Sequence, residues 1–221
     1  MKNKIKKFLN KNKTALNVIS IFFNIPFLIR NILEINKVHL NIKGAFIRNV
    51  KLKVRGKNNK IYIDECVRLS NCEINVFGDN CELYIGRWAI IKNTNLWFED
   101  FSTIIKIGEK TTFENVHIAA LENFNKVNIG SDCMFSRGIE IRTGDSHKIL
   151  DGNNNKINNG QSIYIGNHVW LGANTTILKG VNIHSNSIIG IGSIVTKDIP
   201  TNSLAIGIPA KVKKTNVSWS R

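Results

Sequence analysis

Gly144-Asp145-Ser146-His147 opens a polar, asparagine-rich run that ends at Gly160, and a histidine in such a run can do acid–base chemistry. Imidazole titrates near neutrality, so its neutral form accepts a proton and its charged form returns it. Asp145 either orients that ring and favours its protonated form, or caps the turn with its carboxylate. The other histidines carry less. His168 sits inside a repeat and His184 beside a repeat aliphatic, which reads as solvated for both; His117 faces solvent or a neighbouring chain, and His39 carries no signal. Cys66, Cys72, Cys81 and Cys133 form no Cys-x-x-Cys pair and no zinc-ligand spacing with histidine, which reads as buried thiols in a reducing compartment and no metal. There is no nucleophile elbow and no Cys/His pair to carry an acyl-enzyme.

The elements that must position His147 are repeats. Ile165, Leu171, Ile177, Ile183, Ile189 and Val195 recur every six residues, and Gly166, Gly172 and Gly190 follow three of them. Neither a helix nor a simple strand has that period; it needs a chain that turns a corner every six residues with one aliphatic side chain per flat side. Upstream the unit lengthens to 22 residues. Ile63, Ile85, Ile107 and Ile129 form one column, Ile61, Leu83, Ile105 and Val127 a second, Leu52, Ile74, Leu96 and Ile118 a third, and Asn49, Asn71, Asn93 and Asn115 a fourth. Each unit is one coil of a solenoid. The asparagine column reads as structural, either a stacked amide ladder or a left-handed corner. The segment from residue 143 to 160 breaks the repeat and projects as a loop, so His147 can reach a substrate.

The run Ile165-Gly166-Asn167-His168-Val169-Trp170-Leu171-Gly172-Ala173, its continuation through Ile177-Leu178-Lys179-Gly180-Val181 to Gly190-Ile191-Gly192-Ser193-Ile194-Val195-Thr196-Lys197-Asp198-Ile199-Pro200, and the close Gly207-Ile208-Pro209-Ala210-Lys211-Val212 resemble the hexapeptide-repeat acyltransferases, in their galactoside, maltose and capsular-polysaccharide O-acetyltransferase branch. The motifs cover about residues 141 to 214, and the repeats extend the resemblance back to about residue 45. It implies an all-β fold, a left-handed parallel β-helix of triangular section. It implies His147 as general base, Ala173 as the backbone N–H donor to the oxyanion, and Trp170 as a wall on the acceptor or pantetheine side. Acetyl-CoA is the implied donor, lying along Ala173, Ile191, Thr196, Lys197, Lys211 and Lys214. Two departures stand out: Ile191 replaces the usual alanine and narrows the groove, and Lys211 gives a point charge where arginine is also common. The resemblance further implies a homotrimer with active sites between subunits, and transfer of acetyl to a hydroxyl of a bacterial surface polysaccharide (capsule or lipopolysaccharide) or its sugar precursor by direct attack.

Composition sets the outer bounds. Of 221 residues, 43% are hydrophobic, and 31 Lys and Arg against 16 Asp and Glu give +15, which suits anionic partners. No nucleic-acid recognition motif accompanies the charge. The competing reading is a non-catalytic β-helix scaffold that binds a polyanion or partner protein through a basic face. The sequence divides into a basic, helical N-terminal segment (1–44), the β-helix (45–207) and a tail (208–221). The apolar stretch from Ala15 to Ile29 is interrupted by Asn17, Asn24 and Pro26 and is too short to span a bilayer, so the chain reads as cytoplasmic. Residues 1–13 carry six lysines and no acid. They suit peripheral docking on an anionic membrane, or a solvated basic helix packed on the main domain.

Overall fold

The computed structural model describes residues 12–42 and 44–221; of the lysines expected to meet lipid, all but Lys13 lie outside the described residues. The chain is a left-handed parallel β-solenoid of about seven turns preceded by a helix. Seven parallel strands, from Val38–Asn41 to Asn182–Ile183, make one face, and a twelve-stranded sheet folds around a corner to make the other two.

The columns are real stacks. Ile63, Ile85, Ile107, Ile129, Ile165 and Ile183 pair in turn across adjacent coils and are all buried, as are Leu171, Ile177, Ile189 and Val195. Each such side chain contributes about 1.5–3 kcal/mol by leaving water. The register passes from Ile129 to Ile165 without slipping, so the whole excess of that unit is expelled sideways as the 143–160 loop.

Corners cost backbone strain, because each needs a residue at positive φ, a region that non-glycine residues avoid. Among the described residues, half of the non-glycine residues at positive φ are asparagines, whose short amide tolerates that region. Both expected roles of the asparagine column hold for Asn49, Asn71 and Asn93, at φ 51°, 54° and 51°. Asn49 Nδ2 donates to Asn71 Oδ1 (2.9 Å) and Asn71 Nδ2 to Asn93 Oδ1 (3.2 Å). Asn115 departs: the next coil turns at Gly138 instead, where the register slips by one residue, and Asn93 donates to the Glu114 carbonyl.

The sheet begins before the 22-residue columns do. Leu40, in Val38–Asn41, pairs with Ile61 at a spacing of 21, so periodicity alone overlooks it, and this strand lies within the stretch read as the N-terminal segment. Ahead of it, helix α1 (Lys13–Arg30) and the short α2 (Ile32–Ile35) lie along the free edge of Phe46–Val54. The side of the helix that meets the sheet is polar. Ser20 Oγ accepts from the Gly44 N–H (3.1 Å); Asn24 takes the Ile47 N–H (2.8 Å) and donates to the Ala45 carbonyl (3.0 Å). Asn31 takes the Leu52 N–H (2.8 Å) and donates to the Val50 carbonyl (3.0 Å), and Glu34 takes the Val54 N–H (2.7 Å). Residues 20, 24 and 31 fall on one helical stripe with buried Leu16 and Phe27, so the helix satisfies an edge strand as a neighbouring strand would.

At the other end the tail turns back: Ser203–Gly207 pairs antiparallel with Ala210–Thr215.

Asn24→Leu keeps the volume but orphans a buried N–H and a buried carbonyl. Chemical denaturation should show a loss of about 2–4 kcal/mol, whereas Asn71→Ala, on the exposed ladder, should cost about 1 kcal/mol.

Candidate active site

The 143–160 loop is built, not slack. Leu150 and Lys156 bridge antiparallel across its tip, where the Asp151 carboxylate takes the N–H groups of Asn153 (2.8 Å) and Asn155 (2.9 Å). Its base is pinned by Asn158, a buried amide that donates to Asp145 Oδ2 (2.9 Å) and the His147 carbonyl (2.8 Å) and accepts from the Ile149 N–H (2.8 Å). Lys179, from the six-residue repeats, donates to Asp145 Oδ2 and to the Asn158 carbonyl (2.9 Å), and Lys156 pairs with Glu122 (2.6 Å). His147 is exposed at the end of a tight turn: its N–H donates to the Asp145 carbonyl (2.8 Å) over Ser146 at φ 65°, and Arg142 donates to the Ser146 hydroxyl (2.9 Å). The Asp145 carboxylate is therefore occupied by Lys179 and Asn158 while its carbonyl holds the turn. The Lys179 ammonium and the Asn158 amide hold that carboxyl below its ordinary value against a counteracting push from burial.

One coil beyond Lys179 stand Thr196 and Lys197, both exposed; the Leu178 N–H donates to the Val195 carbonyl (3.1 Å), which sets Thr196 under Leu178 and Lys197 under Lys179. His147, Asp145, Thr196 and Lys197 thus gather at one edge of the face that carries Thr176–Ile177.

The remaining predicted residues gather at the opposite edge of that face and beyond it. Trp170, 36% exposed, lies on the adjoining face, and Ala173 stands at the corner with Ile191 one coil below, the Gly192 N–H donating to the Ala173 carbonyl (2.8 Å). Trp170, Ile188, Leu204 and Lys214 form successive ladder steps, so Lys214 lies three steps, or about 14 Å, from the indole. Lys211 pairs with Ile206 and Lys214 with Leu204; an irregularity between those pairs puts both ammonium groups on one face despite their odd spacing.

The backbone at Ala173 is open. At the equivalent positions of the preceding corner, the Ser131 N–H is taken by Asn167 Oδ1 (2.8 Å) and the Asn167 N–H by Ser185 Oγ (3.0 Å), each from the coil below. Below Ala173 that place belongs to Ile191, whose side chain has no acceptor, so among the described residues the Ala173 N–H meets none.

The sequence reading misses several neighbours. Trp219 stacks on His168 (centroids 4.1 Å apart, planes 9°) and lies 6.1 Å from Trp170; its indole N–H donates to the His168 carbonyl (2.9 Å). Arg221 pairs with Asp132 (3.1 Å) and donates to the Cys133 carbonyl (2.7 Å). His168 is correspondingly half-buried, with Nδ1 2.7 Å from Asp132 and Nε2 3.1 Å from the Trp219 carbonyl, and is not the solvated residue expected. Burial pushes Asp132 up, but His168 and Arg221 outweigh it and hold the carboxyl below its ordinary value. No periodicity marks Trp219 or Arg221. Lys179 and Asn158 likewise look like an ordinary repeat residue and an ordinary loop residue. His117 faces Glu140, at 2.9 Å. The four cysteines are buried thiols, and burial holds Cys72 and Cys133 at about 11, which leaves them protonated at neutral pH and without nucleophilic character.

No family model matches the chain. A polysialic acid O-acetyltransferase of Neisseria meningitidis is 38% identical over 186 residues, 82% of this chain and 85% of that one. A galactoside O-acetyltransferase of Escherichia coli K12 is 35% identical over 125 residues, 53% of this chain and 60% of the relative. The solved structure of a polysialic acid O-acetyltransferase superposes with a TM-score of 0.80 at 35% identity, over 84% of this chain and 88% of that one. Kinship over most of the length, on a matching fold, means that the chain belongs to the hexapeptide-repeat O-acetyltransferases.

Proposed function

We propose that the chain transfers acetyl from acetyl-CoA to a hydroxyl of a bacterial surface polysaccharide or its sugar precursor. The observation that carries this reading is the pinned loop that presents His147, in a chain 38% identical to a polysialic acid O-acetyltransferase; the charge of +15 suits an anionic glycan. His147 takes the proton of the acceptor hydroxyl as its oxygen attacks the thioester carbonyl. The Ala173 N–H stabilises the oxyanion, and on collapse the C–S bond breaks and the coenzyme A sulfur leaves with the proton from the imidazolium. Asp145, Asn158 and Lys179 are positioning residues for the histidine. Lys211 and Lys214 stand far enough from Trp170 to meet donor phosphates, and Thr196 and Lys197 flank the loop.

Within one chain, His147 and Ala173 belong to opposite edges of a single face. A cyclic homotrimer, in which one edge meets the other edge of the next chain, assembles a whole site from two halves. The protein works in the cytoplasm, where acetyl-CoA is made; among the described residues no helix is long and apolar enough to cross a membrane.

Incubation with acetyl-CoA and purified anionic glycans should release free thiol and add the mass of one acetyl group to the acceptor; release that no glycan stimulates, at any concentration, sinks the reading. His147→Ala should lower kcat by on the order of 10² to 10⁴. Its co-assembly with Trp170→Ala chains should restore about a quarter of the sites if each site spans two subunits, and none if one chain holds a complete site.

Ile191→Ser places an acceptor under the Ala173 N–H, as Ser185 does under Asn167. Transfer should fall roughly tenfold or more at unchanged thermal stability, while Ile191→Ala, with no acceptor, should retain activity.

Lys179→Met should lower kcat roughly tenfold and expose the 143–160 loop to protease. The acid limb follows from Asp145: its depressed folded-state value means that the anchor is complete above the ordinary carboxylate range and is lost as pH falls through that lowered value. Pepsin should therefore spare the wild-type loop until the pH falls below the ordinary aspartate value, and cut the Lys179→Met loop already above it.

A further inference from the structure

Helix α1 is amphipathic in the reverse sense to a surface helix. Its sheet-facing stripe carries Ser20, Asn24 and, just past its end, Asn31, all buried; its outward side carries Val18, Ile21, Phe22, Ile25 and Ile29 at 40–69% exposure, continued by Leu33 at 74%. At 100° per residue these outward residues fall within about a third of the helix circumference, and no charged residue occurs from Ala15 to Ile29. The face runs into a recess of about 540 Å³ to which Ile21, Leu28, Ile35, Leu40 and Ile42 contribute apolar walls. An apolar surface of this extent on a soluble fold marks an interaction site.

Charge selects the occupant. The helix is preceded by Lys2, Lys4, Lys6, Lys7 and Lys11, with Lys13 in its first turn, and residues 1–13 contain no acid. A second copy of this chain would bring the same positive charges against themselves, whereas an anionic lipid surface neutralises them and takes up the apolar face. We propose that α1 is an in-plane membrane anchor. The outward face of the helix lies in the headgroup–acyl boundary of an anionic leaflet, the lysines meet lipid phosphates, and the solenoid stands off the membrane on its polar-bonded edge.

The test is co-sedimentation of the full chain with phosphatidylcholine vesicles, with and without phosphatidylglycerol. Binding should require the anionic lipid and fall as salt rises. Phe22→Asp combined with Ile29→Asp, two residues that face away from the sheet, should lower vesicle partitioning at least roughly tenfold. Circular dichroism and acetyl transfer to a soluble acceptor should remain as in the wild type, so loss of docking is separable from loss of the transferase reading. Replacing Lys2, Lys4, Lys6 and Lys7 with glutamine should weaken binding to anionic vesicles alone. Wild-type chain that stays in the supernatant at low salt, or a double variant that sediments as well as wild type, overturns the proposal. So does a double variant that light scattering shows to have lost subunits, which would assign the face to contact between copies.

Discussion

Each coil of this protein is hydrogen-bonded chiefly to the coil above and the coil below, through parallel ladders held in register except at one bulge beside Gly138. A shift of one residue would turn every inward isoleucine outward. Lateral register is therefore the constraint on which the rest depends. The Ile63–Ile85–Ile107–Ile129–Ile165–Ile183 stack keeps it from the long coils into the short ones, even where an entire loop has to be expelled. Because the stack does not yield, the loop is delivered to a fixed edge of a fixed face, and His147 inherits a position set by aliphatic packing several coils away. Lys179 and Asn158 then convert an edge position into a defined orientation.

The same regularity explains where exceptions matter. Corner N–H groups are capped by a polar side chain from the next coil at Ser131 and Asn167, whereas the one at Ala173 is uncapped. In the proposed reading, function sits where the repeat fails to satisfy itself: an isoleucine where a serine or asparagine would close the bond, and a loop expelled from between two coils. An uncapped donor costs stability that the neighbouring stacks offset.

Much of this was legible in the sequence because a solenoid writes its contacts at fixed intervals. The aliphatic columns, the asparagine ladder at 49, 71 and 93 and the projecting loop follow from spacing, and the family from the motif runs that resemble it. Three things do not. The strand Val38–Asn41 is out of phase by one residue, so its Leu40 falls beside the column of Ile61 only in three dimensions. Asn24 looks like an interruption of an apolar segment, whereas its amide binds the sheet; a helix that buries its polar stripe inverts the rule by which amphipathic segments are read. Trp219 and Arg221 act across some 50 to 110 residues on His168, Asp132 and Thr112, and no local pattern encodes such a return.

A stack of identical ladders has no intrinsic reason to stop. The edge of Phe46–Val54 offers a row of unpaired donors and acceptors in the spacing that another copy's last coil could extend, and parallel coils joined end to end would make a filament. Asn24 and Asn31 occupy that row with side-chain amides, which mimic a strand's bonding but present nothing beyond themselves for a further strand to copy. At the far end, the chain reverses direction in Ala210–Thr215 and breaks the parallel rule that growth would need. The helix and the hairpin are thus terminators of a one-dimensional lattice, and the length of the enzyme is fixed as much by what ends the stack as by what builds it.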